Sequence, residues 1–479
     1  MLPNYYPLPV VEAPLPLRPR GLWKGRETHK RRSDSDHNHR PTKRQRSEDT
    51  SDEDQENYYI VELTPEPTPE MESEEEFVPE KVEDWEDLKS SFARAVEQYE
   101  NDNFSESVQL LRGVLRLCHR FLLLYQDPSV LYTQPQPKLP EPISFSSLAP
   151  RPRKKCKCRE PTTAFHAILG TTLFLFANII AQDPSVALSG EPTNSVTYWL
   201  AALDVFEMGE NLPSRTSGRG CEAPEDWRMN VVWGRVLLCI ADAALTQQRN
   251  NSSPVVEPKW LSPSASVFAA IQMRRPPASR RISLASAVPH ELLLLAMDHF
   301  TRGIFLMPHT VTPTPINSSS PQFSRAAELF TIALEFLGVA ERLPAASERM
   351  RWAAWADNVL GQIPAQGQTA VIGRIRGRCW LVYGTAHVED IEETGESRDW
   401  DDIFDSEDAE DARDGLQRAI GFFERAAAEE GGSNDDELQA FLAESLLTLA
   451  NLTKEEIKRE ELYQRAQSLG CVSLDEMES

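Results

Sequence analysis

With 479 residues and 40% hydrophobic content, the chain is long enough for two or three domains and apolar enough to bury a sizeable core. Its formal charge of -24 argues against a nucleic-acid-binding surface, because a phosphate backbone is met by a basic face; the expected partners are proteins. Seven scattered cysteines without framework spacing fit free thiols in a reducing compartment and speak against a secreted disulfide fold.

The start, Met1-Leu2-Pro3-Asn4-Tyr5, lacks the charged-then-apolar pattern of a signal peptide, so the tail is expected to stay on the chain. Residues 1–46 carry eleven Lys or Arg against four acids, and residues 47–87 carry eighteen acids against Lys81 alone. Prolines and Ser/Thr interrupt this charge diblock and apolar periodicity is scarce, so residues 1–80 read as a disordered basic-then-acidic tail. Within it Lys30-Arg31-Arg32 is followed after ten residues by Lys43-Arg44-Gln45-Arg46. Two basic clusters so spaced on an exposed chain reach two acidic grooves of an import receptor at once, which predicts a bipartite nuclear signal; the bland alternative is a generic basic tail. Ser47, Thr50 and Ser51 precede Asp52-Glu53-Asp54, a context for an acid-directed kinase whose phosphates would deepen the acidic block.

From Val82 the texture changes. Leu88, Phe92, Ala95, Val96 and Tyr99 recur at helical spacing, the polar break Asn101-Asp102-Asn103 intervenes, and Phe104, Val108, Leu111, Leu115 and Phe121 continue the pattern. A Pro-rich insert is expected over 135–161, ending in the basic run Arg151–Arg159 with Cys156 and Cys158. Those thiols have cations beside them but no second Cys/His pair at finger-like spacing, so a basic loop is expected and a metal site is not.

Helical patterns follow over 163–181, 194–212 and 226–248, the last two entered through Asn194 or Ser195 and Glu225-Asp226, residues that suit first-turn positions. The run Phe165–Ala181 approaches a membrane span in length, but His166, Thr171, Thr172 and Asn178 favour a buried helix. A second insert is expected over 250–289, with Arg280-Arg281-Ile282-Ser283 resembling a basophilic kinase site, and Ser283 as its acceptor. Helices are then predicted over 290–307, 322–342, 344–362, 367–388, 410–429, 434–450 and 453–469, with a third, acidic insert over 389–409. Asp401-Asp402 lie in an acidic run, which reads as a solvated loop and not as a catalytic dyad.

No stretch alternates apolar and polar residues with hairpin turns, and no strand-helix order repeats. The predicted class is all-α: paired helices stacked as a tetratricopeptide-like repeat solenoid over 81–475. The pair over 88–122 sets Ala95, Phe104 and Ser107 where such a unit places small residues at the helix crossing and an aromatic at the turn. Arg349, Arg351, Trp352 and Trp355, with Arg374, Arg376 and Arg378, form the candidate partner surface, since Arg and Trp are enriched at interface hot spots. The competing reading places these arginines in internal salt bridges and the tryptophans in the core. No glycine-rich phosphate loop, His-Glu-x-x-His or Gly-x-Ser-x-Gly occurs, so no enzyme, cofactor or metal is expected.

A basic-then-acidic tail, a first helical pair near Phe92–Leu124, the segment Phe165-His166-Ala167-Ile168-Leu169-Gly170 and an all-helical remainder together resemble the enhancer-of-translation-termination family of fungal nuclear proteins. The resemblance implies an all-helical repeat fold in the nucleus. It also implies an adaptor that binds a prolyl-hydroxylase-like dioxygenase in oxygen-responsive transcription control, or that supports translation termination. A helical scaffold subunit of an RNA-processing or chromatin complex is the alternative function.

Overall fold

The computed structural model describes residues 79–132, 160–212, 226–250, 266–274, 282, 287–309, 323–364, 369–394, 404–429 and 435–470. These residues form thirteen α-helices and no strand. In chain order they are α1 (Pro79–Glu100), α2 (Phe104–Leu124), α3 (Ala164–Gln182), α4 (Ser195–Glu210), α5 (Trp227–Arg249), α6 (Val267–Arg274) and α7 (Pro289–Leu306). Then come α8 (Arg325–Ala340), α9 (Ala346–Leu360), α10 (Ala370–Thr394), α11 (Glu407–Glu429), α12 (Asp436–Asn451) and α13 (Glu456–Gly470). With few exceptions each helix lies against the one before it, so the chain is a stack of helices, as the sequence pattern predicts.

The first pair shows how the sequence sets the packing. Asp102 takes a left-handed φ of 63°, a conformation Asp tolerates, and so turns the chain between α1 and α2. At the crossing Ala95 is fully buried, which lets the helices approach, and the buried Ser107 hydroxyl donates to the Ala95 carbonyl at 3.0 Å. A bulky side chain at either place would part the helices.

α3 is apolar around most of its circumference, and α2, α4 and α5 cover it. Among the described residues α3 and α5 are long and apolar enough to cross a membrane, yet 89% and 78% of their apolar windows are buried inside the fold. Each fully buried Leu or Phe contributes roughly 2–3 kcal/mol, so this central layer anchors the stack. The predicted caps hold: Asn194 accepts from the Val196 amide at 2.9 Å and Asp226 from the Arg228 amide at 3.0 Å.

The segment between α2 and α3 has a pinned base. Tyr132 stacks on Trp85 at 4.5 Å and its hydroxyl donates to the Thr162 carbonyl at 2.8 Å. Glu160 accepts from Trp85 Nε1 at 3.0 Å and from Lys89 at 2.6 Å. The stretch expected as an irregular insert over 250–289 contains a helix after all: α6 buries Val267, Phe268, Ala270 and Ile271 against α2 and α4. The acidic insert expected over 389–409 is also shorter, because α10 runs on to Thr394.

One core cluster extends from Trp85 to Cys379 and a second from Leu381 onward through α11, α12 and α13. They meet on α10, which turns one face to each. Gly377 of α10 faces the ring of Phe423 on α11 so closely that a Cβ there would overlap it, as would one at Gly170 of α3 against Phe206 of α4.

Candidate functional site

The arginines and tryptophans proposed as a partner surface lie on α9 and α10, packed side by side. Trp352 is wholly buried with its ring 5.3 Å from Phe336, and the half-buried Trp355 is 4.4 Å from the same ring. Arg349 donates to the carbonyls of Leu343 at 2.8 Å and Pro344 at 3.0 Å, and pairs with Glu389. Arg374 pairs with Asp435, the N-cap of α12. Arg376 grips both oxygens of Asp357 at 2.6 and 3.2 Å, and Arg378 reaches both oxygens of Glu341 at 2.8 Å.

This group is therefore mainly an internal joint between neighbouring helices, and the expected open surface shrinks to Arg351. That residue is exposed, with its guanidinium 5.1 Å from the Trp352 ring. The physical reason is reach: an arginine stem packs along apolar surface while its head finds a carboxylate many residues away. Stacking reinforces the joint. Arg376 and Arg425 lie on Phe422 at 4.6 and 4.5 Å, and Arg418 lies on Trp380 at 4.5 Å.

A second charged cluster went unforeseen. Arg235, on α5, is 1% exposed and donates through Nη2 to Glu328 and through Nε to Glu335, both at 2.8 Å and both on α8. Glu328 is 2% exposed and Glu335 11%. Burial raises both carboxyls above their ordinary range, against the pull of Arg235, and pushes Glu335 up to about 7. The signals in the sequence were a lone arginine within Val231-Val232-Trp233-Gly234-Arg235-Val236-Leu237, and two glutamates seven residues apart on one helical face.

The buried imidazoles and thiols of the core are held neutral. Burial lowers His166 to about 4, and lowers His299, whose ring stacks on Trp233 at 4.0 Å, to about 4 as well. Burial raises the thiols of Cys118, Cys239 and Cys379, which disfavours the nucleophilic thiolate. Among the described residues no group of three or more His, Cys, Asp or Glu is placed to hold a metal ion.

An open groove of about 590 Å³ runs between the start of α11 and α13, with the α12–α13 turn as its floor. Phe404, Leu449, Leu452 and Leu462 supply apolar lining, and Arg413 and Arg465 lie among its polar groups. Arg413 is committed to the Phe404 and Leu452 carbonyls at 2.9 and 3.3 Å. The basic clusters Lys30, Arg31, Arg32 and Lys43, Arg44, Arg46, the acceptors Ser47, Thr50, Ser51 and Ser283, and Cys156 and Cys158 lie outside the described residues.

No family model matches the chain, and no curated protein matches it. Two structures of the S. pombe nuclear import adaptor Nro1 are similar to it at 12% and 14% identity, each with a TM-score of 0.43. They cover 81% and 82% of this chain and 93% and 90% of theirs. A third structure, of Nro1 described as the hypoxic regulator of sterol synthesis and a nuclear import adaptor, is similar at 13% identity with a TM-score of 0.46, covering 81% of this chain and 89% of that one. None of the three is described as an enhancer of translation termination.

Proposed function

We propose that the chain is a non-enzymatic nuclear adaptor: a stacked-helix body that binds a protein partner, carried into the nucleus by an import receptor that reads the basic clusters at 30–32 and 43–46. One observation carries the reading. A two-cluster basic sequence precedes a body of stacked helices in which the enclosed carboxylates Glu328, Glu335 and Asp357 are each joined to an arginine of another helix. Buried acids so engaged hold helices together, whereas an acid-base catalyst needs a titratable group aimed at a substrate cavity. Direct nucleic-acid binding is disfavoured by the net charge of -24.

The finer identity of the partner, a prolyl-hydroxylase-like dioxygenase or a component of translation termination, is supported only by the family resemblance in layout. Phosphorylation of Ser47, Thr50 and Ser51 beside the basic clusters would weaken receptor binding by placing negative charge next to them, and Ser283 is a separate acceptor.

Affinity purification of the whole chain and of a chain lacking residues 1–78 tests the reading. The adaptor role predicts one stoichiometric protein partner retained by both forms, and an import receptor recovered with the whole chain only. Recovery of a multi-subunit ribonucleoprotein or chromatin assembly favours the scaffold alternative, and loss of the partner with the tail contradicts binding by the helical body.

A further inference from the structure

Arg235, Glu328 and Glu335 lie where α8, the first helix after residues 310–322, meets α5. The contact is sealed around them by large side chains. Phe300 of α7 sits 6.3 Å from Phe336 of α8, and Arg325 donates to the Ile304 and Met307 carbonyls at 2.8 and 2.9 Å. Water has little access: the most exposed of the three, Glu335, is 11% accessible.

The charge count in this dry space does not close. One guanidinium faces two carboxylates, and with both ionised the cluster carries a net negative charge out of water. A low-dielectric interior tolerates that poorly and compensates by taking up a proton. Among the described residues the neighbouring cations Arg342, Arg376 and Arg378 are each paired with another carboxylate. From α5, Arg235 and the Cys239 thiol face Glu335, and Asp242 farther along is paired with Arg342. Glu328 faces it from α8 itself. On α7, His299 is stacked on Trp233, and its charged neighbours are Arg302 and Asp298. Beyond α8, Asp357 closes on Arg376 and Glu341 on Arg378.

We propose that the Arg235–Glu328–Glu335 cluster is a proton-operated joint between α5 and α8: it is closed when one carboxyl carries a proton and loosened when both are ionised. Glu335, raised to about 7, is the carboxyl that carries the proton and releases it as pH rises through neutrality. The joint therefore responds to pH changes around neutrality. It is independent of which partner the body binds.

The sign follows from linkage. Glu335 has a folded pKa of about 7 against an ordinary 4.5, so its stabilising proton is fully held below 4.5 and lost as pH rises through 7. The two buried histidines work in the opposite direction between about 4 and 6.5, so whole-chain stability alone does not isolate the cluster. The experiment compares the full chain with Glu335→Gln, a neutral mimic of the protonated form, by urea unfolding from pH 5 to 8. The folding constant of the native chain relative to the variant is expected to fall by about tenfold per pH unit from pH 5 to 7 and to level off above. A parallel pair of curves overturns the proposal. Should Glu335→Gln not fold, difference infrared spectra of the native chain decide instead. A protonated carboxyl band present at pH 6 and lost by pH 8 supports the joint, and no change in that band across this interval overturns it.

Discussion

Arg376 of α10 holds Asp357 of α9 through two hydrogen bonds while its guanidinium lies 4.6 Å from the ring of Phe422 on α11, so one side chain ties three successive helices. The pair is mostly enclosed, with Asp357 11% and Arg376 23% exposed. Removing one partner leaves the other charge poorly solvated. Arg376→Ala is expected to cost about 2–4 kcal/mol, and Arg376→Lys, which keeps the charge but loses the fork and much of the stacking, about half as much. Urea midpoints of the two variants check this; equal, near-zero losses would mean the pair is solvated.

Glycine-to-alanine changes separate close helix crossings from open helix surface. In an exposed helix the change is favourable by about 0.5–1 kcal/mol, and at Gly113 of α2 a Cβ meets nothing within 4 Å. At Gly377 it would drive into Phe423, so Gly377→Ala is expected to destabilise by about 1–3 kcal/mol despite the better helix propensity. Thermal melts of the two variants should shift in opposite directions.

His299 adds acid sensitivity. Burial holds its folded pKa at about 4, below the ordinary 6.5, so the unfolded chain takes up the proton first and stability is lost as pH falls from 6.5 towards 4. His299→Phe keeps a ring against Trp233 but gives up the 3.3 Å contact to the Asn230 oxygen. The variant is expected to be about 1 kcal/mol less stable at pH 7.5 and to close or reverse that gap by pH 5. A gap that stays constant with pH contradicts the assignment.

Much of the stack was legible because apolar residues at helical spacing must face something, and the caps Asn194 and Asp226 mark where α4 and α5 begin. The helix α6 was hidden by the prolines around it. Its four buried apolar residues, Val267, Phe268, Ala270 and Ile271, span little more than one turn, too short a run to establish a period. The charged clusters were harder still. Arg378 meets Glu341 and Arg374 meets Asp435, 37 and 61 residues away, and no local pattern shows which acid a basic side chain will find. Hence the sequence leaves both a surface and a seam open for Trp352 and its arginines, and the packing of α9 on α10 makes them mainly a seam.

Nuclear entry through the tail is tested by the distribution of the fluorescently tagged full chain, compared with one in which Lys30, Arg31, Arg32, Lys43, Arg44 and Arg46 are all replaced by alanine. The adaptor account predicts nuclear accumulation of the first and retention of the second in the cytoplasm, with partial loss when either cluster is replaced alone. Undiminished nuclear accumulation of the sixfold variant would contradict it.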